Sequence, residues 1–295
     1  MIPPRPALLV AALGLTQIIG YGTLYYAFPV LIPAIAPDFG VSEPLLFGIF
    51  STGYLLGGLA APTLGGWLDR IGAAQVMTRG SLVIALMLGL LAAAPNILTF
   101  GALAILIEII SFTVLYDAAF AVLAQKRPLD TRRAITGLTL IAGFASTIFW
   151  PLSAALLEGL GWRGTFGLFA AGHLVCALVH RWLGAQAPVE AAPVAASAPE
   201  TPHGLAPDTA PDIAPDLAQR AFALLAAGFA LSGMAITALT VHLVAILQSL
   251  APGEGAYLAA MLMGPAQVVV RIVDATAWRA RHPLFVALVS AAAIV

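Results

Sequence analysis

The stretch ILTFGALAILIEIISFTVLYDAAFAVL, residues 97–123, decides the class of fold. It carries two charges, Glu108 and Asp117, and before Glu108 its only polar side chain is Thr99. About 20 apolar residues cross the hydrocarbon core of a bilayer as a helix. Inside lipid every backbone N–H and C=O needs a partner within the chain. That leaves helix as the reading for a run this long and this rich in Leu, Ile and Ala.

Outward from this segment the pattern recurs. Helices are expected near 7–35, 44–66, 74–94, 134–157, 163–184, 220–249 and 256–277. A last apolar stretch, 283–295, is too short to span. The expected fold is an all-α integral membrane bundle of about eight complete transmembrane helices plus a partial ninth. Composition agrees: 61% of the 295 residues are hydrophobic and 9% charged, with a mean hydropathy of +0.98. Soluble domains carry about a quarter charged residues. A net charge of −1, confined between the spans, leaves no basic surface for nucleic acid. The lone Cys176 excludes an internal disulfide and a thiolate cluster. His173 and His180 share a face of one span, but no carboxylate stands at a supporting spacing, so neither metal nor cofactor is expected. The first apolar run is too long for a signal-peptide core.

Basic residues set the orientation. With the N-terminus in the cytoplasm, Arg5, Arg70, Arg79, Lys126, Arg127, Arg132, Arg133, Arg181, Arg220, Arg271, Arg279 and Arg281 fall inside and Arg163 alone outside. Positive charge gathers on the cytoplasmic side of membrane proteins. The chain divides into an N-terminal six-helix half over 1–185, a Pro- and Ala-rich cytoplasmic linker over 186–219, and an incomplete C-terminal half over 220–295. The linker holds Pro188, Pro193, Pro199, Pro202, Pro207, Pro211 and Pro215, with no apolar period to build a core.

Between the second and third spans stands Gly65-Gly66-Trp67-Leu68-Asp69-Arg70-Ile71-Gly72. This resembles the G-x-x-x-D-R-x-G signature of the major facilitator superfamily, with Ala73 and Ala74 where that family continues with basic residues. Leu115-Tyr116-Asp117, Gly143 through Pro151, Gly161-Trp162-Arg163 and Gly264-Pro265-Ala266-Gln267 with Arg271 resemble further pieces of a bacterial subgroup. The resemblance implies two six-helix halves binding a small solute near the bilayer midplane, and alternating access as symporter or antiporter in a bacterial inner membrane. It also implies that the chain is C-terminally truncated. Gly65, Asp69, Arg70 and Gly72 would form a cytoplasmic gate, with the glycines allowing close helix approach and a tight chain reversal.

Glu108 is the sharpest candidate site residue. It lies near the centre of its span, where a carboxylate is costly unless paired, hydrated or protonated. Proton coupling is its functional reading, and a protonated carboxyl bonded to a neighbouring helix is the structural one. Asp117, nearer the cytoplasm, is expected to form a structural ion pair or gate latch with Arg70 or the basic 126–133 loop. Gln17, Tyr21 and Tyr25 repeat every four residues and share a face that either lines the solute cavity or sits at the interface. His242 is expected either to line the cavity or to make one interhelical hydrogen bond. Arg271 is expected either to attract an organic anion or to pair with Asp274 three residues on. Trp150-Pro151 marks a possible kink. The rival functions are a non-transporting fragment and an intramembrane enzyme. The second lacks any H-E-x-x-H, G-x-S-x-G or paired-Asp signature, so no enzyme is expected. The lipid bilayer, the solute and protons are the expected partners.

Overall fold

The computed structural model describes residues 6–186, 215–250 and 254–276. The apolar stretch from Pro283 and most of the expected linker lie outside the described residues. The chain divides into two compact units, Met1–Val189 with Val244–Arg279, and Glu190–Leu243 with Ala280–Val295.

The described residues of the first unit are helical almost throughout. Helix α1 (Pro6–Tyr21) runs through a π-helical turn at Gly22–Tyr26 into α2 (Phe28–Phe39), which Gly40 caps at φ 64°. Helix α3 (Glu43–Trp67) continues through a second π-helical turn, Leu68–Gly72, into α4 (Ala73–Ala92). Then follow α5 (Ile97–Ser111), α6 (Tyr116–Lys126), α7 (Thr131–Ala142) and α8 (Ala145–Ala185). Past the linker come α9 (Pro215–Leu250), α10 (Glu254–Met261) and α11 (Met263–Thr276). In the second unit, the described part of α9 is an apolar helix with mostly exposed side chains, Phe222, Leu224 and Phe229 among them.

Among the described residues, five helical stretches are long and apolar enough to cross a membrane: Ala7–Phe39, Glu43–Ala92, Ile97–Lys126, Thr131–Ala185 and Gln219–Thr240. Glu43–Ala92 and Thr131–Ala185, at 50 and 55 residues, each have length for two crossings. Each is interrupted by a glycine with positive φ, Gly72 at 96° and Gly161 at 67°.

Three local details differ from the sequence reading. The span expected over 97–123 is broken between Ser111 and Tyr116, because Ser111 Oγ donates to the Glu108 carbonyl (2.7 Å) and Thr113 Oγ1 to the Ile110 carbonyl (2.7 Å). Hydroxyls that bond back to the preceding turn compete with the helix ladder. The span expected over 134–157 breaks at Gly143 and Phe144, and non-helical dihedrals inside α8 occur at Gly161, not at Pro151. Helix α9 starts at Pro215, inside the expected linker, with the proline at a helix start where its missing N–H costs nothing.

Two apolar clusters make the core of the first unit. One gathers Leu24, Phe28, Leu31, Phe50, Leu88, Phe100, Ile107 and Phe166. The other gathers Leu9, Leu13, Met77, Ala119, Leu123, Leu138 and Leu183. The spans built on α1, α4, α5 and α8 each carry a buried polar side chain well inside their ends: Gln17, Ser81, Glu108 and His173. A polar layer thus crosses the middle of the helices.

Candidate transport site

The polar layer is where each side chain needs an account, because a buried polar group without a partner costs about 1–3 kcal/mol. Gln17 finds one. It is 0% exposed, and its Nε2 donates to the Val114 carbonyl at 2.8 Å, a carbonyl set free by the break between α5 and α6. The face expected to run through Gln17, Tyr21 and Tyr25 therefore divides. Gln17 repairs backbone, while Tyr21 and Tyr25, across the start of the π-helical turn at Gly22–Tyr26, still meet edge to face with centroids 6.5 Å apart.

The tyrosines assemble instead into a ring cluster. Tyr21 packs on Tyr116 with centroids 4.5 Å apart. Tyr25 meets Tyr26 at 5.1 Å and Tyr54 at 5.9 Å, and Tyr26 meets Trp150 at 5.6 Å. Tyr26, Tyr54, Tyr116 and Trp150 carry no sequence signal as a group, since four separate helical segments supply them.

Glu108 is 2% exposed, and neither carboxyl oxygen has a hydrogen-bond partner. It occupies the seam between α3 and α5, where Gly53 makes room: a Cβ on Gly53 would stand 2.8 Å from the Glu108 Cβ. Tyr54, next along α3, is near enough to interact electrostatically with the carboxyl. An unpaired acidic side chain at mid-helix in a membrane costs roughly 3 kcal/mol. Two buried histidines continue the layer, His173 Nε2 with Thr23 Oγ1 at 2.9 Å and His180 Nδ1 with Ser81 Oγ at 3.0 Å. Among the described residues no group of three His, Cys, Asp or Glu could hold a metal ion.

Arg271, on α11, hydrogen-bonds the Thr139 carbonyl of α7 and lies within reach of the Tyr116 hydroxyl. Gln267, one turn earlier, reaches Tyr26. The side chain of Asp274, the expected partner of Arg271, lies outside the described residues. His242 is exposed on α9.

The expected gate is built differently from its sequence reading. Among the described residues, Gly65 and Gly66 have open space where a Cβ would stand. Gly72 is the glycine the backbone requires, at φ 96° where L side chains are strained. Asp69 and Arg70 are exposed, and Asp117, exposed in the first turn of α6, forms no ion pair among the described residues. The segment is instead clamped by Gln125 of α6, which accepts from the Ala73 N–H (3.0 Å) and donates to the Leu68 carbonyl (3.1 Å). Sequence reasoning missed Gln125, since one amide beside Lys126 has no pattern to mark it.

Long apolar helices enclosing a polar layer and an unpaired carboxyl define an integral membrane protein of the helical-bundle class. The sequence matches the Major Facilitator Superfamily over residues 13–295, and the chain belongs to this family of secondary transporters. No curated protein matches it.

Proposed function

We propose that this transporter moves a small organic solute by alternating access with proton coupling at Glu108. The carrying observation is that Glu108 is buried with both carboxyl oxygens unpartnered, between helices that Gly53 allows to approach. A group in that state gains from taking up or releasing a proton when the seam between α3 and α5 changes. Tyr21, Tyr25 and their ring partners supply apolar and hydroxyl contacts, and Arg271 beside Tyr116 favours an organic anion as solute. Membership of a transporter family supports the non-enzymatic reading. In this proposal eight complete spans and part of a ninth lie in a bacterial inner membrane, with the N-terminus, the linker and the Asp69–Gly72 gate in the cytoplasm. Arg163 as the lone outside cation supports that orientation.

Infrared pH-difference spectra of the reconstituted protein test the coupling site. A carboxylic-acid band that titrates in the parent and is missing from Glu108→Gln is the expected result; identical spectra remove Glu108 from the proton path. Solute-dependent proton flux into proteoliposomes, screened over small carboxylates, tests transport. A folded sample that moves none of them and no protons favours the non-transporting reading.

A further inference from the structure

Between the start of α4 and the last turn of α8 lies a groove of about 290 Å³, lined by Ala74, Gln75, Thr78, Arg79, Arg181 and Gly184. Arg79 and Arg181 are exposed, and among the described residues neither forms an ion pair. Among the described residues, no acidic side chain lines the groove. Lys126 stands at the same end of α8, donating to the carbonyls of Gly184 and Gln186. Three cations with no described carboxylate between them make a strongly positive spot.

The surface leading away from the groove is apolar on both helices. On α4, Leu82, Leu86 and Leu90 follow Arg79 at helical spacing and are exposed, Leu86 at 64%. On α8, Leu174 and Leu178 precede Arg181 in the same way, Leu178 at 66%. Trp182, 38% exposed, sits beside Arg181, where an indole suits the boundary between headgroups and acyl chains. A cationic groove at the head of a two-helix apolar track matches a molecule with an anionic head and a hydrocarbon tail.

We propose that Arg79 and Arg181 frame a binding site for the phosphate headgroup of an anionic phospholipid, whose acyl chains lie along Leu82, Leu86 and Leu178. Gln75 adds an amide donor to the phosphate cradle, while the Thr78 hydroxyl lines it and donates to the Ala74 carbonyl at 2.7 Å. Basic pockets between membrane helices on the cytoplasmic side hold anionic headgroups by this chemistry. The inference rests on the orientation proposed above, and is independent of the solute and of proton coupling.

The test is native mass spectrometry of the detergent-purified full chain, titrated with phosphatidylglycerol and, separately, phosphatidylcholine of the same acyl chains. Retained phosphatidylglycerol is expected to exceed phosphatidylcholine several-fold. Arg79→Gln/Arg181→Gln is expected to bring the two lipids level, while Arg132→Gln/Arg133→Gln, which removes as much charge elsewhere, keeps the preference. Equal retention in the parent, or an unchanged preference in the Arg79/Arg181 variant, overturns the site. Excess inorganic phosphate that displaces the lipid completely identifies a free-anion pocket and overturns the lipid assignment. If the double variant does not fold, Arg181→Gln alone is expected to lose part of the preference, and full retention there overturns the site. Glu108→Gln is expected to bind lipid as the parent does, which separates this inference from the transport mechanism.

Discussion

Gln17 of α1 and Val114, ninety-seven residues apart in sequence, are joined by a 2.8 Å hydrogen bond that closes the break between α5 and α6. The bond gives the freed carbonyl the partner that lipid cannot supply. Replacing Gln17 by Leu, of similar size, strands the Val114 carbonyl. A loss of about 1–3 kcal/mol is expected, read as a lower melting temperature in detergent. An unchanged melting temperature would mean that water already serves that carbonyl.

Glu108 stands in the opposite situation, with two buried oxygens and no partner. Glu108→Leu removes that penalty at nearly constant volume, so a gain of about 1–3 kcal/mol in stability is expected together with loss of coupled transport. Thermal melting of the variant against the parent checks it. A destabilised variant would show that the carboxyl is bonded in solution and belongs to the structural reading.

Gly53 is held to a hydrogen atom by the Glu108 side chain opposite. Gly53→Ala forces a Cβ to within 2.8 Å of the Glu108 Cβ, so α3 and α5 must separate. Overpacking of this kind costs about 1–3 kcal/mol. In the double variant Gly53→Ala/Glu108→Ala the shorter side chain still presents its Cβ, so little recovery of melting temperature is expected. Full recovery would place the clash farther out along the Glu108 side chain.

Gln125 is expected to hold the Leu68–Gly72 turn, since its amide bonds both Ala73 and Leu68. Gln125→Ala removes both bonds, and hydrogen exchange at the Ala73 amide should rise by about tenfold or more, the equivalent of roughly 1.4 kcal/mol. Unchanged protection at Ala73 would assign the ordering of this turn to Gly72 alone.

Asp38 accepts from Trp162 Nε1 at 2.8 Å and pairs with Arg163, whose guanidinium lies 4.1 Å from the centroid of the Trp162 ring. Both charged side chains are about half exposed, so Arg163→Ala is expected to cost less than about 1 kcal/mol. Trp162→Phe should cost more, because Trp162 is itself packed in the core with Phe100 and Phe166. Comparing the two melting temperatures checks the order.

Sequence by itself determined the class of this protein and its helical, membrane-spanning character. The reason is that the bilayer demands length and apolarity from each spanning segment separately, and those are properties of contiguous residues. Glu108 stood out on the same ground, as a charge inside a run such as ILTFGALAILIEII. Gly72 was legible as part of a motif, though its reason proved to be a positive φ and not close packing. Tertiary structure alone decided what each polar group does. The Ser111 and Thr113 hydroxyls break a helix that composition would have continued, Gln17 repairs it from α1, and Tyr21 meets Tyr116 and Tyr25 meets Tyr54 across different helices. Hydrogen bonds and ring contacts between helices depend on which faces meet, and no periodicity within a single segment records its neighbour.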